Sequence, residues 1–117
     1  MNKILFKAKK LSDGKWVKGS LVKTPFGTFI EWYEDSICNK REVDTDTVCQ
    51  FTGMKDCEGN EIWEGDIIKY KDNNGERKGI INWNEELAAF CFGYYFLLCH
   101  FPSKNMVVVG NKFDKEK

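Results

Sequence analysis

The sequence predicts an all-β protein of short antiparallel strands with little helix. Three observations carry the prediction. Runs of β-branched and aromatic residues, such as Thr28 to Tyr33, Ile67 to Tyr70 and Lys78 to Trp83, recur along the 117 residues, and such residues fit a pleated, half-buried surface. Turn residues bound these runs: Ser12, Asp13 and Gly14, then Thr24, Pro25, Phe26 and Gly27, then Asn73, Asn74 and Gly75. No glycine pattern leads into a helix, nothing repeats at a fixed period, and no linker divides the chain. Residues 1–117 are therefore expected to form a single domain, large enough to bury roughly two-thirds of its unfolded surface without a covalent or metal staple.

Taken in order, Lys3 to Lys9 alternates Lys3, Leu5, Lys7 and Lys9 with Ile4, Phe6 and Ala8, the period of a strand. Ser12 to Lys15 turns the chain, and Trp16 to Val22 returns beside it. Thr24 to Gly27 turns it again into Thr28 to Tyr33. Between Ser36 and Arg41 the pattern is weak, while Asp44, Thr45 and Asp46 suit the cap of a short helical turn holding Thr47 and Val48. Val48 to Thr52 is β-prone, Gly53 interrupts it, and Asp56, Glu58, Gly59 and Asn60 compose a tight turn in which Gly59 and Asn60 tolerate positive φ. Glu61 to Trp63 and Ile67 to Tyr70 follow, separated by Gly65 and Asp66, a corner that resembles the start of strands in small SH3-like or pseudo-barrel folds. Residues 71–76 read as a polar loop closing the longest hairpin onto Lys78 to Trp83, and Asn84 to Leu87 reverse the chain. Ala88 to Phe92 and Tyr94 to Phe101 read as strands apolar on both faces, broken at Gly93 and ended by Pro102. Met106 to Val109 is the last strand, and residues 112–117 read as a charged, frayed tail.

The stretch from Gln50 to Tyr70, QFTGMKDCEGNEIWEGDIIKY, resembles the signature of the YopX family of phage and prophage proteins. Gln50, Thr52, Gly53, Asp56, Gly59, Ile62, Glu64, Gly65 and Asp66 carry it, and Gly110 and Asn111 extend it near the end. Phe6, Lys7, Ala8, Gly14, Trp16, Val17, Gly19, Ser20 and Leu21 agree upstream, as do Val43 to Val48, Val108 and Val109, so the likeness spans nearly the whole chain. Thr45 and Cys49 stand where many relatives carry proline and glycine, which argues against a positive φ at Cys49. The resemblance implies a phage-derived, intracellular, mostly β domain whose biochemical role is unassigned.

The residues themselves narrow the chemistry. His100 is the only histidine, and beside Cys99 in a strand it would face the opposite way, so no Cys/His nucleophile pair is expected. Five cysteines, Cys38, Cys49, Cys57, Cys91 and Cys99, lie eight or more residues apart, without the paired spacing of a zinc site, and are expected as free thiols in a reducing cytoplasm. Turn chemistry accounts for Glu61, Glu64 and Asp66 better than a cation or acid/base cluster does. No cofactor and no enzyme activity are expected. The longest apolar run, Ala88 to Leu98, is too short for the roughly 18 to 20 residues of a membrane span.

Formal charge is zero but uneven: +6 over residues 1–30, −8 over 31–66 and +2 over 67–117. A basic N-terminal hairpin is thus set against acidic loops of the same molecule. The expected function is a cytoplasmic, phage- or prophage-encoded binding module that acts through a protein partner. The alternative is single-stranded nucleic acid binding through Lys7, Lys9, Lys10, Lys15, Lys18 and Lys23 around Trp16, phosphates on the lysines and a base on the ring. Ala88 to Phe101, apolar on both faces, is expected to be covered, by the N-terminal hairpin or by a second copy of the chain.

Overall fold

The structure is a computed structural model that describes residues 5–93 and 96–116, with the side chains of 115 and 116 excepted. The start of the expected first strand at Lys3 and Ile4, the pair Tyr94 and Tyr95, and Lys117 lie outside the described residues. The class is all-β: the strands are antiparallel and form two sheets, and three single 3-10 turns are the helical content of the described residues. Neither sheet closes into a barrel, so the small SH3-like or pseudo-barrel closure gives way to open sheets. The chain divides into two compact units, Met1–Phe51 and Thr52–Lys117.

In the first unit the order is β4-β3-β2-β1, from β1 (Phe6–Lys9), β2 (Trp16–Thr24), β3 (Gly27–Glu34) and β4 (Ile37–Glu42). The first half of β5 (Cys49–Lys55) then pairs with β1 through Phe6 opposite Gln50 and Lys7 opposite Cys49. Alternation along β1 and β3 sends Ala8 and Ile30 into the core beside Val43, which bridges to Lys10 just after β4, and Phe6, Val17, Leu21, Trp32 and Val48 pack against them. Strand β2 pairs with β1 as far as Gly19 and with β3 from Ser20 onward. At that change of partner the chains approach so closely that a Cβ on Gly19 would collide with the Glu31 carbonyl oxygen.

Strand β4 occupies the stretch whose pattern is weak in the sequence. Five of its six residues are exposed, so no burial period marks it. Its turn is equally cryptic: Asp35 and Ser36 both take positive φ, 52° and 66°, the geometry of a type I′ hairpin without its usual Asn-Gly. The expected helical turn is present as a 3-10 turn at Thr45–Thr47, whose Asp44 side chain accepts the Asp46 N–H at 3.0 Å. Cys49 has no positive φ and lies buried in β5, its thiol on the Thr47 carbonyl.

In the second unit the other half of β5 is followed by β6 (Glu61–Trp63). A sheet of order β10-β9-β8-β7-β11-β12 comprises β7 (Asp66–Asp72), β8 (Gly75–Asn84), β9 (Ala89–Phe92), β10 (Phe96–Leu97), β11 (Met106–Asn111) and β12 (Lys115–Glu116). Ile62, Ile68, Tyr70, Ile81, Phe92, Leu98 and Met106 form its core. The β7–β8 hairpin pairs Tyr70 with Arg77 and Ile67 with Ile80, and runs on to Asp72 opposite Gly75. The expected polar loop is therefore mostly paired strand around a two-residue turn, with the Asn74 N–H on the Asp72 carboxylate.

Two further segments depart from expectation. Among the described residues of the Tyr94 to Phe101 run, Phe96–Leu97 is strand and Leu98–His100 is a 3-10 turn. The turn swings Leu98 into the core at 2% exposure and leaves Cys99 and His100 outside. The tail is not wholly frayed either. The Asn111 side chain accepts the Phe113 N–H, the Asp114 N–H reaches the Asn111 carbonyl, and Lys115 and Glu116 pair back onto Asn111 and Gly110. Among the described residues no helix is long and apolar enough to cross a membrane.

Candidate functional site

The Gln50 to Tyr70 signature and its C-terminal companions organise backbone. Asp56, 5% exposed, accepts four hydrogen bonds: from the Glu58 N–H at 2.9 Å, the Asn60 N–H at 2.8 Å, the Asn60 side-chain amide at 3.2 Å and the Val108 N–H at 3.0 Å. Burial pushes its carboxyl up, yet the Val108 and Asn60 donors with the Glu58 N–H outweigh burial and hold it below the ordinary carboxylate range. Asp66, 3% exposed, accepts the Trp63 N–H at 2.7 Å and the Asn111 amide at 2.9 Å. Around it Gly65, with φ 89°, donates to the Ile81 carbonyl and accepts from the Lys112 N–H. Thr52 donates to the Ile62 carbonyl and accepts the Met54 N–H. Gly59 takes φ 84° in the Asp56 turn, and Gly110 follows a bulge in β11. Gly53, φ 87°, sits inside β5 rather than ending it. Gln50 pairs with Phe6, and Glu64 is half-buried in the corner before β7.

Of the basic residues, the β1–β2 pairing gathers three on one face, beside Trp16. Lys7 lies opposite Lys18 and Lys9 opposite Trp16, and both Lys7 and Lys9 alternate with buried Ala8. Their ammonium groups stand over the Trp16 ring at 4.6 Å and 5.4 Å. Lys10 is drawn away into a 3.0 Å ion pair with Asp13 in the turn. Lys15 is exposed, and Lys23 falls on the alternate side of β2, in phase with Val17 and Leu21. The hairpin therefore offers Lys7, Lys9 and Lys18 together, with lysines where a stacked base would lie on Trp16.

A second feature was not legible in the sequence. In the second unit a recess of about 340 Å³ opens over Phe92, Phe96 and Phe101, with Gly79 and Gly93 in its wall and Arg77 and Lys78 at its lip. It is the open end of an aromatic cluster: Phe101 meets Tyr70 edge-on at 4.9 Å and Phe92 at 5.2 Å, and Phe96 stands edge-on to Phe101 at 6.3 Å. Phe96 is 63% exposed. Arg77 lies 5.4 Å from the Tyr70 ring and donates to Asp72 at 2.9 Å. On the far side of Phe96 a smaller hollow is lined by Leu87, Leu97 and His100.

The family model described as YopX protein matches residues 5–116. The chain belongs to the YopX family. Comparison with the curated proteins finds no match. In this YopX-family chain Thr52, Asp56, Gly65, Asp66 and Asn111, which are among the residues that carry the likeness, fasten turns to strands. Among the described residues no group of three or more His, Cys, Asp and Glu side chains is placed to hold a metal ion. Cys49 and Cys91 are buried free thiols; Cys38, Cys57 and Cys99 are exposed ones. Cys99 and His100 follow each other in a 3-10 turn rather than on opposite faces of a strand.

The recess escaped sequence reading because its parts lie far apart. Arg77 to Gly79 and Phe92 sit on neighbouring strands, and Phe101 comes from the turn after β10. The one local signal was Ala88 to Phe101 itself, whose excess of aromatic residues exceeds what one strand can bury.

Proposed function

We propose that this YopX-family chain is a non-enzymatic adaptor, encoded by a phage or prophage and acting in the bacterial cytoplasm by binding another protein. The observation that carries the reading is the exposed Phe96 at the mouth of a recess floored by packed aromatic rings. Large apolar side chains held open to water beside a preformed hollow are the usual form of a protein-binding hot spot. The absence of enzymatic chemistry is supported by the two buried carboxylates, Asp56 and Asp66, whose oxygens are engaged by backbone and amide donors. The test places a photo-crosslinking amino acid at position 96 in cells carrying the prophage. One protein species crosslinked there, and absent when the same group stands at exposed Lys55, supports the adaptor; equal labelling from both positions discards it.

Single-stranded nucleic acid binding is the second reading, favoured by the convergence of Lys7, Lys9 and Lys18 on one face of the β1–β2 hairpin.

A further inference from the structure

We propose that the aromatic recess is a socket for a bulky apolar side chain carried on an acidic segment of the partner protein. The inference rests on the adaptor reading and adds the partner's chemistry. Size comes first: about 340 Å³ is at the small end of ligand pockets, roughly 300–1,000 Å³, which suits one or two side chains. The lining is apolar, and Gly79 keeps it open, since a Cβ there would already lie 3.4 Å from the Phe92 ring.

The walls are also fixed in advance. The Gly93 N–H donates to the Ile80 carbonyl at 3.2 Å, and the Gly93 carbonyl accepts from the Asn82 amide. Phe101 is wedged against Tyr70 and Phe92. A preformed socket binds with little ordering cost, so a short anchor suffices.

Charge selects the segment around the anchor. Among the described residues of the lining, both ionisable ones, Arg77 and Lys78, are cations. Asp72 holds the Arg77 guanidinium through one nitrogen, and half of that side chain is exposed. A guanidinium anchored in this way still presents further N–H donors to a carboxylate in the geometry it prefers. A carboxylate next to the apolar anchor would therefore meet Arg77, while a basic segment would be repelled at the lip.

The experiment uses the full chain and three fluorescein-labelled, terminally blocked peptides, Glu-Glu-Phe-Glu-Glu, Glu-Glu-Ala-Glu-Glu and Lys-Lys-Phe-Lys-Lys, read by fluorescence anisotropy. The first is expected to bind at least about tenfold more tightly than either of the others. Gly79→Leu, which fills the socket at a position without positive φ, is expected to remove the preference for Phe over Ala. Arg77→Gln is expected to keep that preference and lose the preference for acidic over basic flanks. Should Gly79→Leu not fold by circular dichroism, Phe96→Ser at the exposed mouth replaces it. Equal binding of the acidic and basic Phe peptides overturns the proposal, as does a folded Gly79→Leu that binds normally, or displacement of the peptide by oligothymidylate. If the peptides fail while the position-96 crosslink remains specific, the acidic chemistry is wrong and the adaptor stands; if both fail, the adaptor falls as well.

Discussion

At the scale of single residues, the signature carboxylates are pieces of architecture, and Asp56 gives that statement a measurable form. It fastens its own turn to β11 through Val108, fifty-two positions away. Hydrogen bonds to charged groups are worth about 1.5–3 kcal/mol, and a buried donor left facing a donor costs more than the bond alone. Asp56→Asn keeps the shape but turns an amide toward N–H groups in place of an oxygen, so it is expected to cost at least about 2 kcal/mol in urea unfolding at pH 7. The sign of the pH dependence follows from the lowered carboxyl. Stability from Asp56 is fully present above its unfolded value, about 3.9, and is lost as pH falls through the lower folded value. The gap between wild type and Asp56→Asn should therefore shrink on acidification below about pH 4. A gap that stays constant into strong acid would show that the charge on Asp56 contributes nothing. The turn role of Asp56 is legible from its neighbours Glu58, Gly59 and Asn60; its long-range partner is not, because no local pattern points to Val108.

At the scale of elements, β2 shows how one glycine serves two strand partners. Pairing passes from β1 to β3 between Gly19 and Ser20, and the Cβ that alanine would add at Gly19 meets the Glu31 backbone and lies 3.1 Å from the Ile30 side chain. Backbone cannot step aside as the end of a flexible side chain can. Gly19→Ala is therefore expected to destabilise by about 1–3 kcal/mol, the range of overpacking, with exposed Ser20→Ala within about 0.5 kcal/mol as its control. Equal thermal melting of the two variants would show that β2 has room at the crossing. Most strands were legible because alternation and turn residues coincide, as in Trp16–Thr24 and in the β7–β8 hairpin. Strand β4 was not, since an edge with polar residues on both faces has no period to read, and Asp35-Ser36 is an uncommon pair for a type I′ turn. The run to Phe101 misled for the opposite reason. Apolar residues throughout make strand and buried turn look alike, and it is the burial of Leu98 that decides for the turn.

At the scale of the whole molecule, the uneven charge is the property that reaches furthest from any one site, and it separates the two binding readings. The hairpin arrangement revises which lysines matter: Lys10 is held by Asp13, Lys15 stands in the turn before β2, and Lys23 lies out of phase, leaving Lys7, Lys9 and Lys18 on a shared face. If that face binds a single strand, each phosphate contact releases counterions, and affinity should fall by about 0.7 log unit per contact for each tenfold rise in salt. Three contacts then predict a slope of about −2. Lys7→Gln, Lys9→Gln and Lys18→Gln together should flatten it. The triple variant should still fold, because these lysines lie on the face of β1 and β2 opposite Ala8, with a cost of about 0.5–1 kcal/mol for each cation–π contact taken from the Trp16 ring. The lysines over Trp16 make a further distinction: stacking would have to displace two cation–π contacts, so the interaction should depend on salt far more than on base identity. Anisotropy on labelled oligothymidylate and oligoadenylate between 20 and about 200 mM salt reads both quantities. Micromolar binding with that slope, lost in the triple variant and untouched by Gly79→Leu, would move the function to the hairpin and away from the recess. No binding at low salt would retire the nucleic-acid reading, because the electrostatic term it depends on is strongest there.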